Sequence, residues 1–136
     1  MSTISPENAL IYVMVTMSAV DSAMSDNELR DIGVIVKTLP VFSNFNPERL
    51  IPIAKECAAI LHEDGGLDAV LGLVKDALPF HLRETAYALA VEIAAADLDI
   101  TQEELRLLQL LRDTLEIEKL TAAALERGAR ARHMAI

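Results

Sequence analysis

The sequence predicts an all-α protein, a compact bundle of about seven helices built from two pseudo-twofold helix–loop–helix repeats. Three observations predict this. First, apolar residues recur at helical spacing through most of the chain, and no stretch alternates apolar and polar as a half-buried strand does. Second, one short pattern occurs twice between apolar runs: Asp21-Ser22-Ala23-Met24-Ser25-Asp26-Asn27-Glu28 and Asp97-Leu98-Asp99-Ile100-Thr101-Gln102-Glu103-Glu104. Both copies read Asp, two residues, apolar, Ser or Thr, two residues, Glu, Leu, and the match continues downstream. Ile32 pairs with Leu108, Ile35 with Leu111 and Leu39 with Leu115 at one fixed offset, which is the mark of an internal duplication. Third, the chain is 52% hydrophobic but only 4% aromatic and has no Trp, so Ala, Leu, Ile and Val must do the packing, as in helical bundles. Its 136 residues suit a single domain, 1–136, with repeat copies at about 6–39 and 80–115 and a basic tail at 127–136.

The elements follow from local chemistry. Ser5-Pro6 starts a first helix, a capping hydroxyl followed by Pro where its missing N–H costs nothing. That helix runs to about Val20 and is apolar nearly all round, which places it near the centre of the bundle. Ser25 and Glu28 form a capping box for the second helix, whose buried stripe is Leu29, Ile32, Ile35, Val36 and Leu39 before a stop at Pro40. Asn46-Pro47 opens a third helix to about Glu63, and Pro52 should kink it or split off a short first turn. Gly65-Gly66 ends it, and residues 68–78 make a short fourth helix. Pro79 begins the fifth, with Tyr87, Leu89, Ala90, Ile93 and Ala94 inward and an Ala-rich end that permits close helix approach. Thr101 and Glu104 cap the sixth, which carries Leu105, Leu108, Leu111 and Leu115. A seventh spans about Ile117 to Gly128, with the tail fraying beyond it.

Charge and composition narrow the function. A formal net charge of −9 argues against nucleic acid as a partner. The one cysteine, Cys57, can form no internal disulfide and reads as a small apolar filler within a helix. No apolar run is long enough to span a bilayer, and Met1 to Pro6 lacks the features of a secretory signal, so the expected location is cytoplasmic. His62, His81 and His133 show no zinc-ligand spacing, and neither a nucleophile elbow nor a phosphate-binding loop is present.

The carboxylates of the repeated motif are the candidate site. Capping explains Ser25, Glu28, Thr101 and Glu104, with Met24 and Ile100 as apolar staples. It does not explain Asp21 and Asp97, each near a helix C-terminus, where the dipole disfavours a carboxylate. A cation is one partner that would hold them there. In the second copy Asp97, Asp99 and Thr101 set oxygens on alternate residues, as the start of a calcium loop does. The match to an EF-hand stops at Gln102, where the turn Gly belongs, and at Leu108, where the bidentate Glu belongs. The first copy has Ala23 in place of Asp99. The candidate metal residues are therefore Asp97, Asp99 and Glu104, with Asp21 and Glu28 in the first copy. Oxygen-only ligands favour calcium or magnesium, held with a dissociation constant on the order of 0.1–1 mM or weaker, and at the second loop rather than the first.

Tyr12 to Leu39, and more strongly Tyr87 to Ile117 with its central Ala-Ala-Ala-Asp-Leu-Asp-Ile-Thr-Gln-Glu-Glu-Leu, resemble the tellurite-resistance TerB family over roughly residues 6–120. The resemblance implies an all-α domain of about seven helices, a role in bacterial stress response, no established enzymatic reaction, and acidic residues that bind metal ions. The positions matching that pattern are Asp21, Glu28, Asp97 and Glu104, while the Ser22-Ala23 loop of the first copy departs from it by being polar but not acidic. The expectation is a non-enzymatic acidic module that binds a partner protein and, weakly, a divalent cation. The alternative is a metal-dependent enzyme with carboxylates clustered around Glu92 and Asp97. A concave site gathering Glu92, Asp97, Asp99 and Glu104 would favour the enzyme, and the same acids spread over a convex face the module.

Overall fold

The computed structural model describes residues 4–20, 24–96 and 100–136. Among them are seven α-helices, no strand, and no helix long and apolar enough to cross a membrane. The helices are α1 (Pro6–Ala19), α2 (Asp26–Thr38), α3 (Leu50–Leu61), α4 (Gly66–Ala77), α5 (Arg83–Ala96), α6 (Gln102–Leu115) and α7 (Lys119–Arg132). Short 3₁₀ turns at Pro40–Phe42, Pro47–Arg49 and Phe80–Leu82 lie in the connections.

Two apolar helices form the centre. Ala9 to Ser18 of α1 are all buried, and α1 packs against α2, α3, α4 and α5. The second is α5, which buries Ala86, Tyr87, Leu89, Ala90, Val91, Ile93, Ala94 and Ala95 against α1, α6 and α7. Alanines at Ala90 and Ala94 are fully buried, so neighbouring backbones can come close there. The amphipathic helices α2, α4 and α6 wrap this pair with one apolar face each. In α2 the burial is deepest at Ile32 and Val36, with Leu29, Ile35 and Leu39 packed at its edges. In α6 it falls on Leu107, Leu108, Leu111 and Leu115. Cys57 is fully buried, as a core filler should be.

The caps are where local chemistry places them. Ser5 Oγ accepts from Asn8 N at 3.1 Å. Asn46 caps the 3₁₀ turn through its Oδ1, which accepts from Glu48 N at 3.0 Å. That turn is the separate first turn forced by Pro52, which cannot donate to the ladder. Gly65 has φ +71, and a side chain on Gly66 would meet Ile60 O at 2.1 Å, so both positions of the α3–α4 corner require glycine.

Three boundaries differ from the sequence reading. Helix α4 begins at Gly66, since the second glycine already follows the tight turn. The residues after Pro79 make a 3₁₀ turn before α5 starts at Arg83. The tail does not fray at Gly128: α7 continues to Arg132. Ala129 is buried there, and Arg132 and His133 both reach Glu92 of α5. Basic residues also suit the negative end of a helix.

Candidate functional site

The two capping boxes form as read. Ser25 N donates to Glu28 Oε1 at 2.8 Å, and Glu28 N donates to Ser25 Oγ at 3.1 Å. Thr101 N donates to Glu104 Oε1 at 2.9 Å, and Glu104 N donates to Thr101 Oγ1 at 3.1 Å. Each box satisfies backbone donors that the first turn leaves open and sets a carboxylate at the positive end of its helix.

What the sequence did not reveal is that both boxes border one cavity. A hollow of about 500 Å³ lies where α1 and α5 end and α2 and α6 begin. Glu28, Asp31, Asn27 and Ser25 line one side, and Thr101 and Glu104 the other. Met17, Ile93 and Ala96 close the apolar part. Ser18 also lines it; this residue is only 7% exposed, and its Oγ has no hydrogen-bond partner among the described residues. An orphaned hydroxyl facing a polar cavity is a ready ligand for water or an ion, because leaving it unpaired costs on the order of 1–3 kcal/mol. Helix ends act both ways. The C-terminal carbonyls of α1 and α5 carry partial negative charge and favour a cation, while the N-termini of α2 and α6 favour the carboxylates set there.

The predicted residues divide as follows. Glu28 and Glu104 are brought to the common cavity. Asp21, Asp97 and Asp99 lie outside the described residues. Glu92 is not part of the cavity lining; it binds Arg132, and its Oε2 lies 2.6 Å from His133 Nε2. The donors present fit a hard cation in kind, all being oxygens from carboxylates, hydroxyls and one amide. They fall short in arrangement, since no group of three or more His, Cys, Asp or Glu placed to hold a metal occurs among the described residues. Sequence reasoning missed Asp31, Asn27 and Ser18. The signal for Asp31 and Asn27 was helical spacing, for they stand three residues after and one before Glu28, on or beside its face. Ser18 was visible as a hydroxyl within an apolar helix.

Two tyrosines anchor the bundle away from this cavity. Tyr12 OH donates to Glu56 Oε1 at 2.5 Å, and burial followed by that bond holds its phenol well above the ordinary range. Tyr87 OH donates to Glu126 and accepts from Arg112 Nη1 at 3.1 Å, while Arg112 reaches Glu126 at 3.0 Å. This ties α5, α6 and α7 together. Burial, then Glu126, pushes Tyr87 up to about 12, with Arg112 pulling the other way. Cys57 lies 3.7 Å from Thr16 Oγ1 and is pushed up to about 11, chiefly by burial, so it is no ready nucleophile.

Comparison with protein families gives one match. The model described as Tellurite resistance protein TerB covers residues 7–127, which includes both capping boxes and reaches into α1 and α7. Curated proteins and solved structures return no significant match.

Proposed function

We propose that this chain, which belongs to the TerB family, works as a binding module of a tellurite-resistance-like stress system. It acts by contact with a partner protein and by weak binding of a hard divalent cation, not by catalysis. The observation that carries the cation reading is the cavity in which Glu28 and Glu104, from distant parts of the chain, border the Ser18 hydroxyl, which has no partner among the described residues. Glu28, Asp31, Glu104 and Ser18 would hold the ion together with acids of the two connecting loops, and the ion would supply charge that draws the two helix starts together. The net charge of −9 supports a basic partner surface. The non-catalytic reading is supported by the inert Cys57 thiol and by the engagement of Glu92 with α7.

The test is a calcium and magnesium titration followed by backbone amide NMR. A shared site should move residues 24–31 and 100–104 together, with a dissociation constant on the order of 0.1–1 mM or weaker. Glu28→Gln and Glu104→Gln keep the capping geometry and should each weaken binding, as should Asp97→Asn and Asp99→Asn. Shifts spread over the whole acidic surface and untouched by these variants would reduce the binding to counterion attraction.

A further inference from the structure

A second cavity lies between α5, α6 and the C-terminal part of α7, and its chemistry is opposite. It measures about 510 Å³, within the range of small-molecule sites. Val91 and Ala95 of α5 and Leu108 of α6 form its apolar wall. Its lip is apolar too: Ile100 is 42% exposed, Leu105 47% and Met134 66%. Three large apolar side chains exposed around one hollow form a patch, unlike Phe80 and Leu120, which line none of the cavities described. The opposite wall is one face of α7, where Glu126, Arg130 and His133 follow at helical spacing.

The charges on that wall are already partly matched. Glu126 is shared by Arg112 and Tyr87, and His133 is held by Glu92. Arg130 makes no ion pair or hydrogen bond among the described residues. The groove therefore combines an apolar trough with a surplus positive charge in a chain whose net charge is −9.

We infer that this groove binds a single-chain anionic amphiphile, an alkyl carboxylate whose tail lies along α5 and α6 and whose head meets Arg130. Charge complementarity selects the head, and the apolar trough selects the tail. The inference stands apart from the cation reading, because Thr101 and Glu104 face the other cavity.

Monomeric dodecanoate is the probe, titrated into the full chain below its micelle concentration and followed by amide NMR and calorimetry. Dodecyltrimethylammonium, with the same tail and opposite charge, is the control. Saturable shifts confined to residues 91–95, 100–112 and 126–134 are expected, with binding at least tenfold tighter than for the cationic control. Arg130→Glu and Leu105→Glu each alter an exposed side chain, so folding is retained and is checked by circular dichroism. Each should weaken dodecanoate binding at least tenfold. Equal binding of both amphiphiles, or unchanged affinity in either variant, would overturn the inference. So would association with anionic phospholipid vesicles without binding of monomeric dodecanoate.

Discussion

The two capped junctions, α1–α2 and α5–α6, start from the same sequence pattern and end in different surroundings. At the first, Met24 and Leu29 beside the cap lie partly buried against the core. At the second, their counterparts Ile100 and Leu105 are exposed and border the groove under α7. The divergence continues two turns on. Val36 in α2 is buried and apolar, whereas the matching position in α6 is Arg112, which reaches Tyr87 and Glu126. The first junction is closed off by apolar packing. The second is open and meets a further helix through hydrogen bonds. The same short sequence pattern thus gives the same local chemistry, the cap, while the tertiary environment alters what the next two turns do.

The largest test of this comparison is in the core. Ile32 and Leu108 occupy matching positions and are both buried. Ile32→Ala and Leu108→Ala should each cost about 2–5 kcal/mol in chemical denaturation. If Leu108→Ala is the milder, its groove collapses over the lost volume, and the second junction is the more adaptable. A loss well under 1 kcal/mol in either would mean that the helix in question does not bear on the core as described.

Alkaline pH separates the halves by a second route. The thiol of Cys57 ordinarily titrates near 9.0 and is pushed up to about 11, and Tyr87 is moved from 10.0 to about 12. In both cases the folded state holds its proton more tightly than the unfolded chain. The stabilisation is complete below the unfolded value and is lost as pH rises through the folded one. Stability should therefore begin to fall near pH 9, by on the order of 2 kcal/mol from the thiol by pH 11. Cys57→Ala should delay the onset to about pH 10, where the tyrosines take over. An unchanged onset would show that the thiol of the first half has no part in it.

How much could be read from the chain beforehand follows from the range of the forces involved. Both caps, the Pro52 break and the glycine corner depend on neighbours within one or two turns, and all were legible. The central positions of α1 and α5 were legible from their all-round apolarity. The end of α7 was not, because what holds it is Glu92, distant in sequence on α5. Leu105 was grouped with Leu108, Leu111 and Leu115 on the sixth helix, and that it alone of the four is exposed depends on tertiary packing, which no local pattern encodes. The candidate site divides in the same way. Glu28 and Glu104 were identified from their motif, whereas their meeting in one cavity depends on how α1 and α5 pack.

The smallest effect concerns the caps, and it measures how far the two junctions differ. Removing a capping hydroxyl costs about 1 kcal/mol, within a range of about 0.5–2. Ser25→Ala acts at an exposed box, where water can take over the freed Glu28 N–H. Thr101→Ala acts at a part-buried one, where the Glu104 N–H and the carboxylate each lose a partner and water has less access. Desolvated donors are the expensive ones to leave unpaired. Thr101→Ala should therefore be the costlier of the two, toward the upper end of that range, while Ser25→Ala stays toward the lower. For a chain of this size the melting midpoint should drop by roughly 2–6 °C, with the Thr101 variant lower. Equal drops would mean that both boxes are equally open to water, and the contrast between the junctions would then rest on Arg112 and the groove alone.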